Sequence, residues 1–283
     1  MGSLGGEKKK KPRVMCLHGF RTSGYILSKQ LAKWPDSVLG QLDLVFVDAP
    51  LSGQGKSDVE GFFPPPYYEW FRYTPGCREY EHFDECLAYI EECMIKHGPF
   101  DGFLGFSQGA LLSAALPGLQ AKGLALTKVP KIKFVIIVNG GTFASPALND
   151  RAYSLAIACP SIHFIGENDF LMQRGKNLLE SFEKPVVVYH YKGHTVPRLD
   201  EESLETVLKF IKRINEIVNS VSSSNLEEEE GRNCSEEVEL LTREPASNPK
   251  KDEVGLPDTD LANHFPSGKE EKGAVVQVNL LSA

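Results

Sequence analysis

Six short, almost wholly apolar runs recur along the first 190 residues, at 14–17, 42–47, 102–105, 132–138, 162–165 and 186–189. Two longer stretches between and after them repeat apolar residues at helical spacing. Residues 79–96 align Phe83, Leu87, Ile90 and Met94 on one stripe, and 200–218 align Leu204, Val207, Leu208, Ile211, Ile214 and Ile217 on another. Asp200 and Ser203, just after Pro197, suit the start of that last helix. Strands that are apolar at consecutive positions lack a solvent face, so they predict a parallel sheet covered on both sides. The expected fold is α/β, with about six mostly parallel strands and right-handed crossovers. Periodicity alone does not separate a nucleotide-binding sheet from a hydrolase.

Past residue 220 the pattern stops. SVSSSNLEEEEGRN and REPASNPKKDEVGLPDTD are polar and nearly free of aromatics. Such segments bury too little apolar surface to offset the entropy of ordering them. The expected organisation is a flexible basic arm at 1–11, one folded domain at 12–220 and an acidic, disordered tail at 221–283. The apolar stretch 274–281 is read either as a frayed end or as a short motif that docks a protein partner.

Charge sharpens this division. Of the net charge of −7, residues 220–283 contribute 14 Asp and Glu against 6 Lys and Arg, which leaves 1–219 close to neutral. Neither part reads as a nucleic-acid binder, and the run Lys8–Lys11 reads as a solvated arm. No apolar run reaches the ~18 residues of a membrane span. The N-terminus has neither the apolar stretch of a signal peptide nor, at Gly6, the Ser or Thr of a myristoylation signal. Six cysteines without a CxxC pair or zinc-like spacing read as reduced thiols, with no metal or cofactor implied. The cytoplasm is the expected location, with the nucleus left open.

The chemistry concentrates at Gly105-Phe106-Ser107-Gln108-Gly109. An apolar run precedes it and the small-residue helical stretch 110–116 follows, the strand–turn–helix setting of a nucleophile elbow. Ser107 is therefore the candidate nucleophile, and a serine hydroxyl needs a base. In this arrangement the acid and then the histidine follow the serine along the chain. His163 lies inside an apolar run and His264 in the tail, whereas His194 follows Gly193 in a loop before the last helix. His194 is the candidate base, with His190 as its alternative. The loop after 162–165 offers two carboxylates, Asp169 and, as the alternative, Glu167. Two N–H donors must also face the developing oxyanion: that of Gln108, next to the nucleophile, and that of Phe20, in the loop after the first strand. His18, at a strand end far upstream of Ser107, reads as a structural turn residue.

LHGF at 17–20, GFSQG at 105–109, GENDFLM at 166–172 and GHTVP at 193–197 together resemble the FSH family of serine hydrolases, over about residues 12–218. The insertion GFFPPPYYEWFRYT at 61–74 is similar to that family's aromatic loop. The resemblance implies an α/β-hydrolase fold, kinship with carboxylesterases and acyl-protein thioesterases, and Ser107, Asp169 and His194 as the triad. The acidic tail, read as the mark of a plant-type member, lies outside the family pattern.

Within the insertion, Phe62, Phe63, Tyr67, Tyr68, Trp70 and Phe71 are candidates for the wall of an acyl pocket, or for rings that simply cover the core. The expected function is cleavage of a small apolar acyl ester or thioester through an acyl-enzyme. The alternative is a ligand-binding receptor on the same scaffold with slow or no turnover.

Overall fold

A computed structural model describes residues 10–74 and 79–240, with side chains described as far as residue 220. The elements run β1 (Arg13–Leu17), α1 (Gly24–Leu31), α2 (Asp36–Leu39), β2 (Asp43–Val47), β3 (Leu51–Ser52), β4 (Tyr68–Glu69), β5 (Arg72–Tyr73) and β6 (Tyr80–Glu81). They continue with α3 (Phe83–His97), β7 (Gly102–Phe106), α4 (Gln108–Ala121), β8 (Phe134–Val138), α5 (Pro146–Tyr153), β9 (Ser161–Gly166), α6 (Met172–Leu179), β10 (Val186–His190) and α7 (Glu201–Leu240). The expected six strands form one sheet in the order β10-β9-β8-β7-β1-β2, with every pair parallel.

The central strands β1, β7 and β8 feed both faces of the sheet. In β1, Val14 and Cys16 pack with Leu27 and Leu31 of α1 and with Val207, Ile211 and Ile214 of α7. Met15 and Leu17 point the other way, toward Ile90 of α3, Leu112 of α4 and Leu178 of α6. Helices therefore cover both faces, which is why the strands read as unbroken apolar runs rather than as alternating ones.

The long helices depart from expectation at their edges. Tyr80–Glu81 pairs with Arg72–Tyr73, so α3 starts at Phe83 rather than near Glu79. Along α7, Phe210 and Val218 are buried and Ile217 sits at the margin of the stripe. Asp200 does cap α7, its Oδ1 accepting the Ser203 N–H at 2.9 Å. The backbone of α7 continues to Leu240, past the boundary expected at residue 221.

Two units are distinguished, Met1–Asn225, which holds the sheet, and Leu226–Ala283. At the start of the first, Lys10 of the expected arm exchanges backbone hydrogen bonds with the Asn219 side chain. Residues 1–9, Cys77 and the segment 241–283 with its apolar stretch lie outside the described residues. Among the described residues, no helix is long and apolar enough to cross a membrane. Cys16, Cys86, Cys93 and Cys159 are free thiols.

Candidate active site

Ser107 sits between the end of β7 and the start of α4, with φ 55° and ψ −117°. That backbone is costly for a residue with a side chain and persists only where its surroundings fix it. Its neighbours show how. A Cβ on Gly105 would lie 2.2 Å from the Gly109 carbonyl oxygen, and one on Gly109 would lie 2.1 Å from that of Leu17. Only glycine fits at either position, and the tight packing drives the Ser107 side chain out of the turn.

The candidate base and acid come from the carboxyl ends of β10 and β9. His194 Nε2 lies 2.7 Å from Ser107 Oγ. Its Nδ1 lies 2.9 Å from both carboxylate oxygens of Asp169. A carboxylate only accepts, so Nδ1 carries the proton and Nε2 is left to accept the serine hydroxyl. The Asp169 side chain is 1% exposed and its Oδ1 also accepts the Leu171 N–H at 2.8 Å. Glu167, the alternative acid, is exposed, and its backbone N–H donates to His190 O at 2.8 Å. His190 faces Asn139 instead of Ser107. Behind the His194 loop, Lys33 Nζ and Trp34 Nε1 donate to the carbonyls of Val196 and Pro197 at 3.3 and 3.0 Å.

On either side of Gln108, the Ser107 N–H donates to Val138 O and the Gly109 N–H to His18 O. The N–H of Gln108 has no acceptor among the described residues, nor has that of Phe20. His18, just past the end of β1, is wholly buried. Its Nε2 accepts the Ala49 N–H at 3.0 Å and its Nδ1 meets Gly19 O at 2.8 Å. Burial holds its imidazole down, at a pKa of about 4, so the ring stays neutral and serves as scaffold.

The insertion divides into two groups of rings. Trp70 and Phe71 have no exposed surface. Trp70 Nε1 donates to His18 O at 2.9 Å, and Phe71 packs edge-on against Tyr73 and Tyr80. With both rings sealed into the core, these two support the site from beneath. Phe63, Tyr67 and Tyr68 are half-buried, and Phe62 is 85% exposed. Ring contacts also draw in two residues to which the sequence reading gave no role. Phe106 and Phe170 flank the His194 imidazole, with centroids at 5.2 and 4.5 Å. The ring of Phe20, the candidate oxyanion donor, meets Tyr73 at 5.5 Å. The only sequence signal for Phe170 is its position directly after Asp169. Among the described residues, no group of three or more His, Cys, Asp or Glu is arranged to hold a metal ion.

Comparison with known proteins bears on the same region. The profile of the family described as "Serine hydrolase (FSH1)" matches residues 8–206. The chain belongs to this family. The matched range includes Ser107, Asp169 and His194. "Esterase CG5412" of Drosophila melanogaster is 28% identical over 220 residues, covering 74% of this chain and 77% of that protein. "Dihydrofolate reductase" of Schizosaccharomyces pombe is 30% identical over 203 residues, covering 66% of this chain. The chain spans 44% of the length of that yeast protein. Among solved structures, the acyl-protein thioesterase 2 of Zea mays superposes with a TM-score of 0.51 at 18% identity, over 74% of this chain and 96% of that one. That likeness establishes a shared α/β-hydrolase fold. The protein is thus a serine hydrolase of the FSH1 family on that fold.

Proposed function

We propose that this serine hydrolase cleaves carboxylic ester or thioester bonds of apolar acyl substrates through Ser107, His194 and Asp169. The observation that carries the reading is the unbroken line from Ser107 Oγ through the His194 ring to both oxygens of Asp169. Ser107 Oγ attacks the acyl carbon as its proton passes to His194 Nε2. The negative charge that develops on the acyl oxygen is met by the Gln108 and Phe20 N–H groups, whose lack of any other acceptor supports the assignment. Collapse breaks the bond to the leaving oxygen or sulfur, and His194 returns the proton to that atom. Water then attacks the acyl-enzyme by the same path in reverse, releasing the acid and restoring Ser107. Asp169 holds the imidazole in its Nδ1–H tautomer throughout and stabilises the imidazolium without taking its proton.

An apolar acyl group is favoured by the half-buried and exposed rings of the insertion and by Phe170 against the imidazole. Phe62, Phe63, Tyr67 and Tyr68 of the insertion form the proposed acyl wall, joined by Phe170 over the imidazole. The names borne by the fly and maize proteins, an esterase and an acyl-protein thioesterase, point the same way. Hydrolysis of p-nitrophenyl esters of increasing chain length, with an acyl-CoA in parallel and Ser107→Ala as the blank, tests the reading. Turnover should rise from acetate toward longer chains. Indifference to chain length would remove the acyl-wall assignment.

The acidic segment 221–283 is assigned to a protein partner and not to hydrolysis. Deleting 222–283 should leave ester turnover unchanged and release whatever co-purifies with the full chain.

A further inference from the structure

His190 lies near the site without a part in the proposed chemistry, and its surroundings give it a task. It ends β10, four residues before His194, and its Nε2 lies 3.1 Å from Asn139 Oδ1. Asn139 follows β8, is 2% exposed, and has φ 50°, a left-handed conformation that asparagine tolerates better than most residues. Its amide nitrogen donates to the carbonyls of Gly193 at 3.3 Å and Thr195 at 3.4 Å, the residues on either side of His194.

We propose that Asn139 and His190 form a positioning pair that sets the loop carrying His194, so that its imidazole meets Ser107 in register. The inference rests on the reading of His194 as the base.

The donor and acceptor roles leave one consistent arrangement. Two carbonyls can only accept, so the Asn139 NH₂ must face them and its Oδ1 must face His190. That oxygen also only accepts, so the His190 proton sits on Nε2. The other ring nitrogen, Nδ1, is then bare, and it is buried with no partner among the described residues. Burial lowers the His190 pKa against the pull of Asp169 and Glu167, which favours the neutral ring, and the contact with Asn139 Oδ1 sets its tautomer. Gly166, at the end of β9, makes the close approach possible. A Cβ there would lie 2.9 Å from His190 Cε1 and 2.6 Å from Lys192 O. The loop around His194 is thus gripped between β8, β9 and its own strand, with Asn139 holding both flanks of the base.

The test compares His190→Ala, His190→Gln and Asn139→Asp with wild type and His194→Ala. It reads kcat and KM on a p-nitrophenyl ester, the rate of fluorophosphonate labelling and the melting temperature. Asn139→Asp retains an acceptor and a side chain suited to φ > 0 but loses the donor. A misplaced base slows chemistry more than binding, so His190→Ala and Asn139→Asp should lower kcat and labelling by about 10- to 100-fold with KM nearly unchanged. Glutamine supplies an N–H for Asn139 Oδ1, so His190→Gln should recover most of the loss. Wild-type kcat in both His190→Ala and Asn139→Asp, with His194→Ala inactive, would overturn the positioning role while leaving the base assignment standing. Equal losses in His190→Gln and His190→Ala, matched by equal falls in melting temperature, would overturn it as well, reducing the pair to a structural contact. An active His194→Ala would remove the base assignment, and the pair's role with it.

Discussion

The side-chain carbonyl of Gln108 accepts the backbone N–H of Trp70 at 2.9 Å, while its amide donates to the backbone carbonyl of Phe71 at 2.8 Å. One buried amide thereby ties the residue after the nucleophile to the floor of the aromatic insertion. Gln108→Met would keep the volume but strand the Trp70 N–H and the Phe71 C=O, at roughly 1–3 kcal/mol for each buried group left unpaired. Urea unfolding should show that loss. Ester turnover should fall with it, even though the backbone N–H of residue 108 is retained.

Asp169→Asn is the sharpest probe of the acid. An amide in its place can turn its NH₂ toward Nδ1 and reverse the tautomer, so that Nε2 no longer accepts from Ser107. The expected fall in kcat is about 10⁴-fold. Because Asp169 Oδ1 also accepts the Leu171 N–H, circular dichroism should verify that the loop survives the change. Glu167→Gln, at an exposed position outside this arrangement, should leave kcat within about twofold on the scale of ordinary surface substitutions.

Two buried histidines should weaken the fold on the acid side. Burial lowers His18 to about 4 and His163 to about 3, both below the ordinary value of 6.5. Between the unfolded and folded values the unfolded chain binds more protons, so stability falls as pH drops below about 6.5 and is lost progressively toward 4 and 3. Each histidine contributes up to about 1.4 kcal/mol per pH unit in that window. Melting temperature should therefore fall steeply between pH 6.5 and 4.5. His163→Gln, which can still reach Ser161 Oγ, should flatten that fall; an unchanged slope would contradict the assignment.

Much of this was legible in the chain. The six strands were visible because burial on both faces leaves no polar alternation to confuse the reading. The elbow was visible because steric crowding admits only glycine at 105 and 109. His194 was favoured by its place in a loop after a glycine, but His190 stayed open as the alternative. The insertion was not readable in the same way: Trp70 and Phe62 look alike in sequence, yet one is sealed against His18 O and the other is 85% exposed. That difference is made by two-residue strands pairing across 15 or more positions, which local pattern does not encode. The short helices α1, α5 and α6, of 8 residues each, give too few turns for a periodic signal. Asn139 and Phe170 owe their roles to tertiary contacts with the loop and ring of His194, and no spacing rule points to them.

The central claim is that Ser107 is the nucleophile. The direct measurement is reaction of the purified protein with a fluorophosphonate, followed by mass spectrometry of the peptide that contains GFSQG. A single adduct on Ser107 is expected, abolished in Ser107→Ala and strongly slowed in His194→Ala. An unlabelled wild-type protein, or equal labelling of Ser107→Ala, would contradict it.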